Sequence, residues 1–354
     1  MLILEREGAP GKGSTGRATG GVRAQFETEI NIQLSLYSLD FFRDWSVDCG
    51  YEPQGYVFLA TSDEHLEFLS QSVQTQVALG YRGVHLVDRQ DIANMVPGLN
   101  CEDIAGGSFG PRDGFIDPPA ILNGFLSNSL SNGAELRTNA AVMGIVTSGE
   151  RVRGVETEDG LIECNNVVLC TGAWSRQLAA TAHVDLPLEP QRRQIVWAKT
   201  QEPLPPKLPM VIDLSDGFHF RPARGLDDEV LFAYPDPQEP TSFRTDFEDS
   251  FTESVNARAR HRAPFLASAR VLREKCRAGL YENTPDHHAI LGKCEIGGLY
   301  LANGFSGHGV MHSPATGRAL AEIILDGQAS FIDVSCLTID RFRNGHLLHE
   351  TAFI

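Results

Sequence analysis

Three groupings of residues in this chain have the types and spacing that chemistry needs. Near its end, Gly304-Phe305-Ser306-Gly307-His308-Gly309 follows an apolar run, Leu299 to Asn303, and precedes a helical pattern that reaches about Leu325 and is ended by Gly327. Glycines let backbone approach a planar ligand closely. A helix opening at Gly309 aims its unpaired amides and the positive end of its dipole at any negative charge that grows there. The second grouping is Arg23 behind a glycine-rich stretch. A planar five-donor guanidinium suits a carboxylate, although an arginine after a loop is also an ordinary surface residue. The third is histidine: His308 and His312 stand four apart, as two ligands on one helix face would, and His287 and His288 are adjacent. With no carboxylate between them, no metal is expected.

A fourth pattern fails on spacing. Gly11, Gly13 and Gly16 spell G-x-G-x-x-G after Leu2-Ile3-Leu4, but six residues, Glu5 to Pro10, separate the strand from the first glycine. A dinucleotide fingerprint turns directly off its strand, and the segment that should then be the second strand reads as a helix from Glu27. A nicotinamide-dependent enzyme built on these glycines is therefore not expected. Glu5 is better placed at the end of a second strand, where such folds present an acid to ribose hydroxyls. On this reading the chain begins at strand two, roughly 30 residues of a first strand, glycine loop and helix are missing, and the sheet beside Leu2 to Leu4 has an open slot.

The elements that must position these residues follow from periodicity. Ile30, Leu34, Tyr37, Phe41 and Trp45 repeat at helical spacing over about Glu27 to Cys49. Ser62 caps a helix to about Leu79, another ends at Pro97, and Asp117 with proline behind it opens one to Ser131. Gln54 to Ala60 and His85 to Val87 read as strands. The period then becomes two: Glu135 to Leu136, Ala141 to Thr147, Val152 to Thr157 and Leu161 to Cys164 form a meander. It leads into Asn166 to Cys170, NVVLC, a run of the kind found in a fully buried parallel strand, and then a turn and helix from Thr171. Short strands with Pro-rich turns from Leu186 to Tyr234 suggest a separate antiparallel sheet, followed by helices near Phe247 to Arg260 and Ala263 to Leu266. Parallel α/β segments thus alternate with antiparallel ones, so two domains are interleaved with a cleft between them.

Composition narrows the partners. The chain has 354 residues, 42% of them apolar, and a net charge of −16, so it repels nucleic acid and anionic lipid. No apolar run is long enough for a membrane span, and the start is too short for a signal peptide, so a cytoplasmic protein is expected. Seven cysteines without a CxxC pair argue against a disulfide or zinc scaffold.

In order, LILE, GSTGRATGG with Arg23, AAVMGIV, NVVLCTGAWS, GLYENTPD and GLYLANGFSGHGVMHSPATGRALAEIILDG resemble the D-amino-acid-oxidase-like (DAO) superfamily of FAD-dependent oxidoreductases. The likeness is nearest to sarcosine and D-proline dehydrogenase β-type subunits and mitochondrial FAD-dependent oxidoreductase domain proteins, and it spans nearly the whole chain, including IQLSLYSLDFFRDW and IDRFRNG. It implies an α/β fold in which a Rossmann-like FAD-binding domain (residues 1–50, 117–185 and 285–354) is interleaved with an α+β, antiparallel-sheet substrate domain (51–116 and 186–284). The first βα unit is lacking.

Carried over residue by residue, the resemblance gives Glu5 the ribose, and Ser14, Thr15, Thr19 and Gly20 the loop under pyrophosphate and flavin. It gives Val142 the adenine, and Gly172 and Trp174 a further turn toward the cofactor. Gly304, Phe305, Ser306, Gly307, His308, Gly309, Val310 and Met311 become the flavin cradle. Arg23 would clamp a substrate carboxylate. His219, beside Phe220, would face the flavin, although an imidazole on a strand is commonly structural. His308 would contact the flavin and not act as a base, since amine oxidation of this type transfers a hydride from a neutral amine. Flavinylated members carry a cysteine where Gly279 stands, so noncovalent FAD is expected. Leu231 stands in place of the oxygen-activating lysine of sarcosine oxidases, and Met311 replaces a lysine-like partner, although a guanidinium, notably that of Arg221, could substitute for the lysine if it points inward. The expected function is therefore a dehydrogenase of a secondary amine or α-amino acid that passes electrons to a quinone, a flavoprotein or a partner subunit. The alternative is a cofactor-poor scaffold or assembly protein that kept the fold.

Overall fold

A computed structural model describes residues 1–350, so the last four residues of the 285–354 segment lie outside the described residues. Along the chain the strands are β1 (Leu2–Leu4), β2 (Gly21–Val22), β3 (Tyr56–Ala60), β4 (His85–Val87), β5 (Gly106–Gly110), β6 (Gly114–Phe115), β7 (Glu135–Arg137), β8 (Val142–Ser148), β9 (Arg151–Thr157) and β10 (Gly160–Glu163). They continue with β11 (Val167–Leu169), β12 (Glu189–Lys199), β13 (Met210–Asp213), β14 (His219–Pro222), β15 (Glu229–Ala233), β16 (Arg270–Val271), β17 (Arg277–Asn283), β18 (Ile290–Lys293) and β19 (Leu299–Asn303). The helices are α1 (Glu29–Asp44), α2 (Asp63–Ala78), α3 (Arg89–Met95), α4 (Pro118–Ser131), α5 (Ser175–Thr181), α6 (Asp249–Arg262), α7 (Gly309–Asp326) and α8 (Asp340–Asn344).

The largest sheet of the described residues has nine strands in the order β16-β12-β15-β14-β13-β3-β5-β4, with β17 also on β12. It draws strands from two distant stretches of chain, joined where β3 pairs β13 in parallel. Val57, Leu59, Val196, Val211, Phe220, Val230 and Phe232 turn one face inward, and α6 covers it with Phe251, Val255 and Ala259, four residues apart on one helix stripe.

A second body of strands mixes parallel and antiparallel pairings. β1 pairs β7, β11 pairs β19 in parallel with β18 antiparallel beyond, and β8, β9 and β10 form an antiparallel meander. Their core joins Ile145, Val152, Val155, Leu169, Ala179, Leu299 and Leu301, with Leu4 against it. Helix α7 lies on α1 through Ala315, Ala319 and Ile323 against Ile30 and Leu34, small residues allowing close approach. The cap signals act as expected: Ser62 accepts from His65 N, Asp117 from Ala120 N, and Gly327 ends α7 with a φ of 91°.

Four expectations need correction. Glu135–Arg137 does not open the meander but pairs in parallel with β1, because Ile3 and Leu4 offer a strand edge that the local alternation cannot reveal. Val168 is 43% exposed, so the NVVLC strand is covered on one face and not fully buried. Helix α1 ends at Asp44, not near Cys49. The strands of residues 186–234 are not a separate sheet, since β13 continues into β3. The strands β5, β17 and β18 were not anticipated. Residues 5–20 hold one 3-10 turn and no strand-turn-helix, as the spacing of Gly11, Gly13 and Gly16 requires. Among the described residues β1 and β7 form one sheet and β11, β19 and β18 another, with no strand pairing the two.

Candidate functional site

The site is organised around β17. Gly279 has no side chain, and Arg17 lies where a Cβ would sit, at 3.2 Å. Ser14 Oγ donates to the Leu280 carbonyl at 2.8 Å, Arg17 Nη1 donates to Ala278 O at 2.8 Å, and Arg277 donates back to the carbonyls of Arg17 and Ala18. These bonds fasten the loop 14–20 along the strand. The next two residues of β17 reach the other way: the Tyr281 ring lies against Gly307, and one Glu282 oxygen accepts from Phe305 N while the other lies 3.2 Å from where a Gly172 Cβ would be.

Three turns far apart in sequence thus meet on one strand. Gly307 has a φ of 95° and a Tyr281 carbon 2.4 Å from its would-be Cβ, so only glycine serves there. At the far end Arg6 lies 3.7 Å over the Trp174 ring, which joins Glu5 and its neighbours to the Gly172 turn. Glu5 Oε1 accepts from Glu7 N, and its carbonyl accepts from Ala140 N, close to Val142 at the start of β8. Direct contacts therefore run from Val142 and Glu5 through Trp174 and Gly172 to Glu282 and the Gly304 to Met311 turn.

Arg23 is 4% exposed. Its guanidinium lies 3.8 Å over Phe26, Nη2 is 3.5 Å from His308 Nε2, and its amide points at Met311 Sδ at 3.4 Å. It is not a surface arginine. The strand end that carries it is fixed by Asp113, which is fully buried and accepts from Ala24 N at 2.8 Å, Gln25 Nε2 at 2.9 Å and Tyr81 Oη at 2.7 Å. Val310 and Met311 pack on the apolar cluster that includes Val22, Ala24 and Phe26.

His219 opens β14. It lines a narrow cavity with Thr19, Met210, Arg221 and Leu231, and its Nδ1 is bonded to the Gly217 carbonyl at 2.9 Å. Gly20, with a φ of 77°, sits so close to the Ile116 carbonyl that a Cβ would meet it at 2.4 Å, and the Tyr56 hydroxyl covers Gly21.

Burial sets the protonation states. His308 is held far below its usual range by burial, then by Arg23, and His312, bonded to Ser35 Oγ at 2.8 Å, falls to about 3 for the same reasons. His219 is lowered by burial, and Arg193 nearby adds to this. Burial pushes the Glu282 carboxyl up to about 7 against the pull of the Phe305 and Gly304 amides. Desolvation, and then Glu282, push the Cys170 thiol up to about 12. Among the described residues no three His, Cys, Asp or Glu side chains converge as a metal site requires.

Tyr281, Glu282, Tyr56 and Asp113 were not singled out as site residues from the sequence, whereas Arg221 was, as a cation that could point inward. Glu282 carried the one readable signal, an acid inside a strand-like run.

The family described as FAD dependent oxidoreductase (DAO) matches residues 1–323. The chain is 30% identical to FAD-dependent oxidoreductase domain-containing protein 1 of Bos taurus, over 99% of this chain and 80% of that protein. It is 25% identical to mitochondrial sarcosine dehydrogenase of Mus musculus, over 92% of this chain and 37% of that longer protein. The crystal structure of L-proline dehydrogenase from P. horikoshii superimposes with a TM-score of 0.89 at 27% identity, covering 98% of this chain and 92% of that one.

Proposed function

The chain belongs to the FAD-dependent oxidoreductase family, whose members use FAD, and from that premise we propose that it is a dehydrogenase of a secondary amine or α-amino acid. The observation that carries this reading is the meeting of three glycine turns on β17, with the Arg23 guanidinium 3.5 Å from His308 beside them. Sarcosine and L-proline, the compounds named in the two dehydrogenases above, are both secondary α-amino acids.

The residues present fit FAD. No side chain caps the first turn of α7, so its amides remain for an acceptor. Among the described residues, buried Asn303 Oδ1 and Glu282 Oε2 have no hydrogen-bond partner. Glu5 lies at the end of β1, in reach of a diol, and Gly172, Gly304 and Gly307 present backbone without Cβ. When bound, FAD supplies a two-electron acceptor for the hydride that leaves the α-carbon.

The chain's own side chains would do the rest. Arg23 holds the substrate carboxylate through paired N–H donors. The guanidiniums of Arg23, Arg193 and Arg221 disfavour a bound ammonium, so the amine is held neutral, the form from which a hydride can leave. His308, His312 and His219 stay uncharged and add no competing cation. Leu231 is buried with Ile195 and Ala223, and no lysine occurs between Leu208 and Glu274, so no lysine of this stretch stabilises superoxide.

The test is reconstitution of the full chain with FAD, followed by turnover of sarcosine or L-proline. An artificial acceptor is reduced much faster than hydrogen peroxide appears. Peroxide release at a matching rate makes the protein an oxidase, and a chain that takes up no FAD is a scaffold.

A further inference from the structure

Buried arginines elsewhere in this molecule are paired with carboxylates. Arg192 meets Glu239 and Glu248, Arg262 meets Asp103 and Asp213, and Arg341 meets Asp286, all within 2.9 Å. Around the cavity beside the loop 14–20 the pattern breaks. Among the described residues Arg193, Arg221 and Arg277 touch no carboxylate, and their hydrogen bonds go only to backbone carbonyls. Arg221 is the extreme case. It is 6% exposed, Nη2 donates to Thr19 O, Nη1 donates to Pro222 O, and the buried Nε has no partner. Burial, and then Arg277 close by, weaken its hold on the proton to about 10. A buried cation that touches no carboxylate and has a second, half-buried cation near it is costly, and such an arrangement suits a place where a ligand supplies the missing charge.

The location says which end of a ligand that is. Arg221 faces the cavity lined by Thr19, Ile195, Met210, His219 and Leu231, with its guanidinium 4.7 Å over Phe115. The Tyr56 hydroxyl lies beside Gly21, the residue midway between Arg23 and Thr19, whose carbonyl accepts from Arg221, so the two arginines are held on one short stretch of chain. We infer that Arg221 forms a second anion subsite, and that the preferred substrate is a dicarboxylic amino acid with its α-carboxylate at Arg23 and its other carboxylate at Arg221. This rests on the reading of the site as an amino-acid dehydrogenase.

The test compares N-methyl-aspartate with sarcosine, which share the secondary amine and α-carboxylate and differ by one CH2-carboxylate. In the FAD-loaded wild type, kcat/KM for N-methyl-aspartate is expected to exceed that for sarcosine at least tenfold, and Arg221→Gln to bring the ratio near one. Succinate and acetate give a readout without turnover: only succinate should raise the Tm of the wild type, and Arg221→Gln should abolish the rise. A wild-type ratio near one, with succinate no better than acetate, overturns the subsite. If neither amine is oxidised but succinate still stabilises through Arg221, the dehydrogenase reading falls and the anion site stands. Should Arg221→Gln not fold, Arg277→Gln replaces it, since loss of the neighbouring cation must also weaken the succinate response; an unchanged response there counts against the site.

Discussion

Two residues carry predictions that their surroundings make specific. Arg23 has its guanidinium stacked on Phe26 and turned to His308, a geometry that a lysine ammonium cannot copy because it lacks the planar fork. Arg23→Lys should raise the KM for an amino-acid substrate by about 2 kcal/mol, roughly thirtyfold, with little change in Tm. An unchanged KM in an active enzyme would remove Arg23 from the site. Glu282 is predicted through pH. Its carboxyl rises from an ordinary value near 4.5 to about 7 in the fold, so the folded state binds the proton more tightly than the unfolded chain. That contribution to stability is full below about pH 4.5 and is lost as pH rises through about 7. Glu282→Gln keeps the protonated shape at all pH values. In the cofactor-free protein, urea denaturation should show the variant gaining on the wild type by about 3 kcal/mol between pH 5 and pH 8. A gap that stays flat would mean that the carboxyl ionises normally.

Elements explain why some strands escaped the sequence reading. β5 is Gly-Gly-Ser-Phe-Gly, a composition that reads as a loop, yet it lies between β3 and β4 inside the large sheet. Its glycines are there for space. A Cβ on Gly107 would meet the Phe58 carbonyl at 2.3 Å, and backbone cannot swing aside as a flexible side chain can. Gly107→Ala should destabilise the protein by about 1 to 3 kcal/mol, read as a lowered urea midpoint at unchanged slope. A wild-type midpoint would show that β3 and β5 can part without cost. β17 escaped for a different reason: its run RAGLYEN has only two buried apolar side chains, Ala278 and Leu280, set among glycine and polar residues, so its alternation is too short to read.

At the scale of the molecule, the candidate site is assembled from segments near residues 5–23, 140–174, 277–282 and 304–311, none of which can bind FAD alone. A ligand that contacts all of them couples their unfolding. FAD at a hundred times its Kd should stabilise the chain by about 2.7 kcal/mol, seen as a Tm that rises with FAD concentration. Riboflavin at the same concentration should do less, because it lacks the adenosine diphosphate end that would reach Glu5 and Val142. Equal shifts would show that the segment from Val142 to Trp174 takes no part. Among the described residues no helix is long and apolar enough to cross a membrane, and the net charge is −16.

Local rules determined much of this protein from sequence alone. Caps at Ser62, Asp117 and Gly327, the helical stripe of α1 and the glycine turn before α7 all depend on residues within a few positions of one another, and that range is where sequence patterns act. The ordered motifs added the family and its cofactor. Long-range pairing needed the fold. That Glu135–Arg137 leaves the meander for β1, that β13 joins β3, and that Tyr281 and Glu282 point at the Gly304 turn follow from competition among distant strand edges. The same holds for charge. Arg192 and Arg221 look alike in the sequence, and only the fold gives one two carboxylates and leaves the other a buried Nε with no partner.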